Sequence, residues 1–107
     1  GNVSEILTNT TTAPINVTYV YTTTANSCVN VPENVVVVVN PTPALSSSLT
    51  PADICSGDTF SYTATSATVG STFAWTRALV GGITEVASSG TGNVSEILTN
   101  TTTAPIN

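Results

Sequence analysis

Apolar and polar residues alternate along much of this 107-residue chain. Residues 15–22 are INVTYVYT, residues 60–65 are FSYTAT, and residues 73–76 are FAWT. A period of two places successive side chains on opposite faces of an extended backbone, which predicts β-strands. Thr, Val, Tyr and Phe also suit a pleated, half-buried surface. No stretch shows the period of an amphipathic helix, so the predicted fold class is all-β.

Clusters of Gly, Pro, Asn, Asp and Ser separate the alternating stretches and predict turns. They lie at residues 25–27, 41–43, 56–58, 69–71, 81–82 and 89–92. Short strands separated by turns at intervals of about 8–15 residues are typical of a β-sandwich.

One stretch occurs twice. GNVSEILTNTTTAPIN fills residues 1–16 and again residues 92–107, so the repeat period is 91 residues. Solenoid repeats are shorter, roughly 20–50 residues, whereas an immunoglobulin-like sandwich takes about 100. The duplication therefore predicts a tandem array of domains of about 91 residues.

The segment Asn40-Pro41-Thr42-Pro43 is the predicted boundary, because two prolines stop a strand and favour extended backbone. We expect residues 1–41 to be the C-terminal half of one repeat, with strands E, F and G. Residues 42–107 are then the linker and the N-terminal part of the next repeat, with strands A to E and the start of F. The predicted strands are A at 44–49, A′ near 54–55, B at 59–65, C at 72–79, D near 84–87, E at 94–98 and at 3–7, F at 15–23, and G at 34–39. In this scheme a neighbouring copy supplies the equivalent of residues 17–39, since missing strands leave open edges.

Charge and composition narrow the function. Arg77 is the single cation beside six acidic residues, and the net charge is −5. One Arg cannot neutralise a row of phosphates or hold an anionic bilayer, so nucleic acid and membrane partners are not expected. The longest apolar run, the five valines 35–39, is far shorter than a membrane-spanning helix. Without His or Lys, Ser and Thr lack a base, so we expect no enzyme activity and no cofactor.

A calcium site is the one metal site to consider. Asp53 and Asp58 could join Glu33 at a domain junction, because calcium takes six to eight oxygen ligands. The two aspartates lack a D-x-D spacing, and turn aspartates commonly bond their own backbone. No metal site is therefore predicted.

Several segments together resemble a known family. They are ICSGDTF at 54–60, FAW at 73–75, NVTYVY at 16–21, ANSC at 25–28 and VVVVVNPTP at 35–43. In natural order they resemble the PKD-like, immunoglobulin-like repeats of giant secreted surface proteins of Bacteroidota-type bacteria. Other PKD domains often carry WDFGDG after strand C, whereas here Trp75 is followed by Thr76, Arg77 and Ala78. The resemblance covers the whole repeat and implies a sandwich of about seven strands, tandem arrays, an extracellular location and no catalytic residues.

The two cysteines are disulfide candidates, because paired thiols are typical of exported domains. In an immunoglobulin-like order Cys28 lies in the F–G turn and Cys55 lies near the A–B turn at the other end. They also belong to neighbouring repeats, so we expect each to bond an equivalent in the same or the adjacent repeat and not the other directly. Free thiols are the alternative.

The aromatic side chains are expected to form the core. Trp75 on strand C is a core position in such sandwiches, although sugar stacking is the alternative. The predicted core residues are Trp75, Phe73, Phe60, Tyr62, Tyr19 and Val17. Arg77 is predicted to pair with Glu85 or Glu33 at the surface. Asn-x-Ser/Thr triplets at Asn2, Asn9, Asn16, Asn93 and Asn100 match N-glycosylation acceptors in form.

These observations predict a structural repeat domain of an extracellular bacterial stalk, adhesin or fibre. One form of this hypothesis is self-assembly, in which subunits share strands or domain ends. The expected partners are neighbouring copies of the repeat, with surface glycans as a further class. The alternative is a glycan- or protein-binding immunoglobulin-like module that uses residues such as Tyr19, Tyr21 or Arg77.

Overall fold

The computed structural model describes all residues from 1 to 107 and contains eight β-strands. It has no helix, and hence no helix long and apolar enough to cross a membrane. The chain divides into two units, Gly1–Pro43 and Ala44–Asn107. The division falls at the end of the Asn40–Pro43 segment that sequence analysis identifies as the boundary.

Unit 1 is built on one antiparallel ribbon. β1 (Ile15–Tyr21) pairs with β4 (Glu33–Val39), with Ile15 opposite Val39 and Tyr21 opposite Glu33. β2 (Thr24–Ala25) and β3 (Cys28–Val29) form a short hairpin at the tip of this ribbon. The two residues between them, Asn26 and Ser27, have φ of 50° and 66°. Positive φ at both positions is the geometry of a type I′ turn, in which Asn is favoured.

The register of the ribbon separates its side chains into two different faces. Residues directly opposite each other share a face. One face therefore carries Ile15, Val17, Tyr19, Tyr21, Val35, Val37 and Val39, with Glu33 as its one charged residue. The other face mixes valines with Asn16, Thr18 and Asn34. We call the first set the apolar face of the ribbon.

Unit 2 contains two antiparallel pairs. β5 (Thr59–Tyr62) pairs with β8 (Val94–Ile97), and β6 (Ala74–Arg77) pairs with β7 (Ser88–Thr91). An isolated antiparallel bridge joins Ile83 to Asn100. In each of these four strands alternate residues are half-buried, as the period-two pattern predicts.

No side chain of the chain is fully buried. The most covered apolar side chains are half-buried, and Val35 of the ribbon is 52% exposed. A two-stranded ribbon cannot bury a face by itself, because burial needs a third strand or a second layer. The ribbon thus presents an apolar face that the other residues of unit 1 only partly cover.

The all-β class predicted from sequence is confirmed, and every strand pair is antiparallel. β1, β5, β6 and β8 fall inside predicted strands F, B, C and E, and β4 begins one residue before predicted strand G. The strands form four separate two-stranded sheets. The two-layer immunoglobulin-like sandwich stays a prediction.

Four predicted strands are wrong. Residues 84–87 are not strand D; the strand lies at Ser88–Thr91, in a stretch predicted as a turn. Residues 44–49 and 54–55 form no strand, and residues 44–49 are held instead by bonds such as Ser46 N to Thr65 O. Residues 3–7 form no strand, although the identical residues 94–98 contain β8. The reason is the partner: β8 pairs with β5, and unit 1 has no equivalent of β5.

Candidate functional site

The duplicated segment folds into the same turn in both units. The Oδ1 atom of Asn9 accepts bonds from Thr11 N at 2.9 Å and Thr11 Oγ1 at 2.7 Å, and Asn9 Nδ2 donates to Ala13 O at 2.8 Å. In the second copy Asn100 makes the same three bonds to Thr102 and Ala104, at 2.8, 2.7 and 2.8 Å. Asn commonly bonds backbone two residues ahead in this way. Because the surroundings of the two copies differ, the local sequence itself determines this turn.

In unit 1 the first copy is joined to the ribbon. Asn9 Nδ2 donates a second bond to Val39 O at 2.8 Å, and the Tyr19 hydroxyl donates to Glu5 Oε2 at 2.6 Å. The hydrogen bond to Glu5 raises the pKa of Tyr19. Both bonds link residues 1–14 to β1 and β4.

In unit 2 the second copy is joined to other strands and loops. Asn100 N donates to Ser56 Oγ at 2.8 Å, and Thr101 N donates to Gly82 O at 2.8 Å. The carboxylate of Glu85 accepts from both Thr99 N and Thr99 Oγ1 at 2.8 Å. The bond from the Thr99 backbone lowers the pKa of Glu85 despite partial desolvation.

We call the set of half-buried residues of β5 to β8 the half-buried side of unit 2; it includes Phe60, Trp75, Val94 and Glu96. A polar cluster surrounds Glu96 on this side. Arg77 Nε lies 2.9 Å from Glu96 Oε2, and the two side chains are 18% and 16% exposed. Arg77 Nη2 and the Ser88 hydroxyl both bond Glu96 Oε1. The bond from Arg77, followed by that from Ser88, holds the pKa of Glu96 below its ordinary value, and Glu96 raises the pKa of Arg77.

The predicted ion-pair partners of Arg77 are therefore wrong. Arg77 pairs with Glu96, and it bonds Glu85 only through the backbone carbonyl, at 3.4 Å. Glu33 lies in β4 of unit 1. Arg77 and Glu96 meet because both occupy the half-buried side of their strands, β6 and β8.

Glu5 and Glu96 are the same position of the repeat, with different partners. Glu5 accepts a hydrogen bond from Tyr19 of the ribbon, whereas Glu96 accepts hydrogen bonds from Arg77 of β6 and Ser88 of β7. A carboxylate has about four acceptor sites. One glutamate can therefore serve both sets of donors.

The six predicted core residues are all half-buried, and none is fully buried. The Trp75 ring lies against Gly90, and its Nε1 is buried without a hydrogen-bond partner. Tyr62 uses its hydroxyl to bond Ser47 Oγ at 2.7 Å and Ser48 O at 2.9 Å. Phe60 stacks on Tyr62 with ring centroids 6.3 Å apart.

The other predicted site residues lie apart from this core. Cys28 and Cys55 are free, exposed thiols. Cys28 lies at the tip of the ribbon, away from the end where Asn9 meets Val39. Cys55 precedes Ser56, which bonds Asn100. No three His, Cys, Asp or Glu side chains are grouped as metal ligands.

Two of the formal glycosylation triplets have their amide nitrogens engaged. Asn9 Nδ2 and Asn100 Nδ2 both donate inside the turn. A glycan replaces one of the two amide protons, and Asn9 Nδ2 donates both of its protons, to Ala13 O and to Val39 O, so a glycan there would remove one of these bonds. The turn role of these asparagines and the partners of Glu96 were missed from sequence. The signal for the turn was Asn followed two residues later by Thr, a pattern that favours side-chain-to-backbone turns.

Searches against protein-family models, curated proteins and solved structures give no match to this chain.

Proposed function

We propose that this chain is a structural repeat domain of an extracellular bacterial surface stalk, adhesin or fibre. Its role is mechanical and not enzymatic, its location is the cell surface, and its partners are neighbouring copies of the same repeat. The family resemblance of the ICSG, FAWTR and VNPTP segments supports this proposal.

The observation that carries the proposal is the duplicated segment. Its two copies are identical over 16 residues and fold into the same turn. A repeat that preserves both sequence and local structure reproduces one shape along the chain, as spacers and fibres require.

The two units are complementary parts of one domain in this proposal. Unit 2 contributes β5 to β8, and unit 1 contributes the β1–β4 ribbon. Added together around a single copy of the duplicated segment, they give one immunoglobulin-like sandwich of about 91 residues. Its core is formed by the apolar face of the ribbon and the half-buried side of unit 2.

The alternative, a glycan- or protein-binding module, has weaker support. Its aromatic candidates are already engaged within the chain: the Tyr19 hydroxyl bonds Glu5, and the Trp75 ring lies against Gly90. Arg77 is also occupied, because its guanidinium bonds Glu96 and three backbone carbonyls. A binding surface built on these residues would have to break those contacts first.

The test is the shape of longer arrays. Chains with two and six tandem copies of residues 1–91 would be compared by small-angle X-ray scattering. A stalk predicts that the radius of gyration rises about three-fold, in proportion to the number of repeats. A compact globule would rise only about 1.5-fold, since its radius scales as roughly the 0.38 power of length, and that result would refute the proposal.

A further inference from the structure

We propose that the β1–β4 ribbon of a second copy of this chain docks on unit 2, beside the duplicated segment at residues 92–107. In the docked state Asn100 Nδ2 donates to Val39 O of the second copy, and Glu96 accepts from its Tyr19 hydroxyl. This inference rests on the proposed function and specifies the partner and the contacts.

The first argument is the two sets of hydrogen bonds. The two copies of the duplicated segment make the same bonds within the turn. Asn9 Nδ2 also donates to Val39 O, whereas Asn100 Nδ2 donates only within its turn. Conversely, the segment at residues 92–107 is bonded within its own chain by Ser56, Gly82 and Glu85. Unit 1 has no equivalents of these three residues. The two sets use different atoms of the same segment, so one copy can make both at once.

The second argument is the apolar face of the ribbon. This face has a single charged residue, Glu33, at its end. Val35, Val37 and Ile15 on it are 52%, 40% and 41% exposed. Burial of such apolar surface favours association. The matching surface is the half-buried side of unit 2, where Phe60, Trp75 and Val94 lie.

The glutamate position places the ribbon on that side of unit 2. Tyr19 belongs to the apolar face and reaches Glu5 in its own unit. Glu96, the equivalent of Glu5, lies on the half-buried side of β8 and is held by Arg77 and Ser88. A tyrosine that reaches Glu96 from the ribbon therefore faces Arg77 and brings the apolar face inward.

Docking makes one copy of the segment redundant. The ribbon of the second chain can lie beside only one of the two identical segments. When it docks beside residues 92–107 of the first chain, residues 1–14 of the second chain must therefore leave their own ribbon. They are the more weakly held: residues 3–7 form no strand, whereas β8 is paired with β5 and bonded through Glu96. The exchange replaces an intramolecular Asn9–Val39 bond by an intermolecular Asn100–Val39 bond.

Residues 1–107 contain one ribbon and one receiving unit. Association is therefore heterologous and extends head to tail, unless two copies exchange ribbons reciprocally and close. In both cases the mass of the particle depends on protein concentration.

The experiment compares Asn9→Ala with Asn100→Ala in the full chain by sedimentation velocity across a concentration series. The two substitutions are chemically identical and lie in identical sequence surroundings, so they disturb the turn equally. Asn9→Ala removes the bond from Asn9 Nδ2 to Val39 O that holds the ribbon against its own segment, and it should tighten association about five-fold, the worth of one hydrogen bond. Asn100→Ala removes the new donor and should weaken association about five-fold. A chain that begins at Ile15 should associate more tightly than either.

Three results would overturn the inference: a wild-type chain that stays monomeric at every concentration, substitutions that both weaken association, or substitutions that leave it unchanged. Far-ultraviolet circular dichroism of both variants checks that the strands persist. A monomeric wild type combined with rod-like tandem arrays would refute ribbon exchange alone. Arrays that scatter as globules would refute the proposed function instead.

Discussion

The ring of Trp75 lies directly against the backbone of Gly90 on the neighbouring strand. A Cβ at residue 90 would stand 2.8 Å from Trp75 Cζ2 and 2.9 Å from Cε2. These atoms belong to a rigid ring, so the contact can be relieved only by moving the ring or the strand. We therefore expect Gly90→Ala to lower the free energy of unfolding by about 1–3 kcal/mol, the usual cost of overpacking. Urea denaturation followed by the fluorescence of this single tryptophan would measure it.

Gly81→Ala is the matched control for this substitution. A Cβ at Gly81 would meet no atom within 4 Å. Adding a methyl group there should be neutral or slightly stabilising, because alanine has less freedom than glycine in the unfolded chain. Equal destabilisation by the two substitutions would mean that the contact with Trp75 contributes nothing.

Acid should destabilise unit 2 through its two bonded glutamates. The pKa values of Glu85 and Glu96 are lowered from about 4.5 by the bonds from Thr99 and from Arg77 with Ser88. A carboxyl group with a lowered folded pKa stabilises the fold above its unfolded pKa, and this stabilisation is lost as the pH falls through the folded pKa. We expect the urea midpoint to hold from about pH 7 to about pH 5 and to decrease below about pH 4.5.

Glu96→Gln tests the origin of that decrease. The substitution removes a titrating group, so the midpoint should be lower at neutral pH and should change less on acidification. Glu33→Gln is the control, since Glu33 lies at the start of β4 and belongs to unit 1. If Glu96→Gln shows the wild-type pH dependence, the bonds to Arg77 and Ser88 do not couple to stability.

Gly82 and Gly57 separate backbone strain from side-chain contact. Both have positive φ, 90° and 85°, where an L-residue is strained. A Cβ at Gly82 would also stand 2.6 Å from Ile106 Cδ1 and 2.9 Å from Thr102 Cγ2, whereas Gly57 has open space. We expect Gly57→Ala to cost about 1–2 kcal/mol. Gly82→Ala should cost about 1 kcal/mol more, because the ends of the contacted side chains can shift.

Chemical denaturation of both variants would decide between these causes. Equal losses would show that Ile106 and Thr102 move away freely, so that the second copy of the segment is not packed on the turn at Gly82. A larger loss for Gly82→Ala places the duplicated segment in firm contact with that turn.

The strands that sequence could predict are those whose signal is local. β1 and β4 follow directly from the alternating INVTYVY and from the five valines. β7 could not be found in this way, because SSGT is turn-like and becomes a strand only beside Trp75, where glycine fits under the ring. Residues 3–7 show the converse. The same sequence forms β8 in unit 2, where β5 pairs with it, but forms no strand in unit 1, where no strand pairs with it.

The candidate site was only partly predictable for the same reason. The duplication revealed the segment and its period. The residues that bond the segment lie far from it in sequence, so no local pattern indicates them. The alternation did contain a signal for the Arg77–Glu96 pair, because Arg77 lies two residues after Trp75 and Glu96 lies two after Val94. Both pairs of residues share a strand face. Choosing Glu96 over Glu85 needed the pairing of β8 with β5, which no local pattern specifies.

Oxidation should join different copies of the chain through its two exposed thiols, Cys28 and Cys55. Cys28 lies at the ribbon tip, and Cys55 lies beside the turn at Asn100, the equivalent of the Asn9 turn at the other end of the ribbon. In the proposed docked state, seven-residue strands separate Cys28 of the ribbon from Cys55 of the receiving unit by roughly 20 Å. Bonded cysteines need Cα atoms within about 7 Å, so the crosslinks form between separate sandwiches. With oxidised glutathione as electron acceptor, we expect disulfide-linked multimers on non-reducing gels, collapsing to monomers with reductant. Cys28→Ser and Cys55→Ser should each stop the ladder at dimers, whereas a wild-type chain that stays monomeric under oxidation would contradict the prediction.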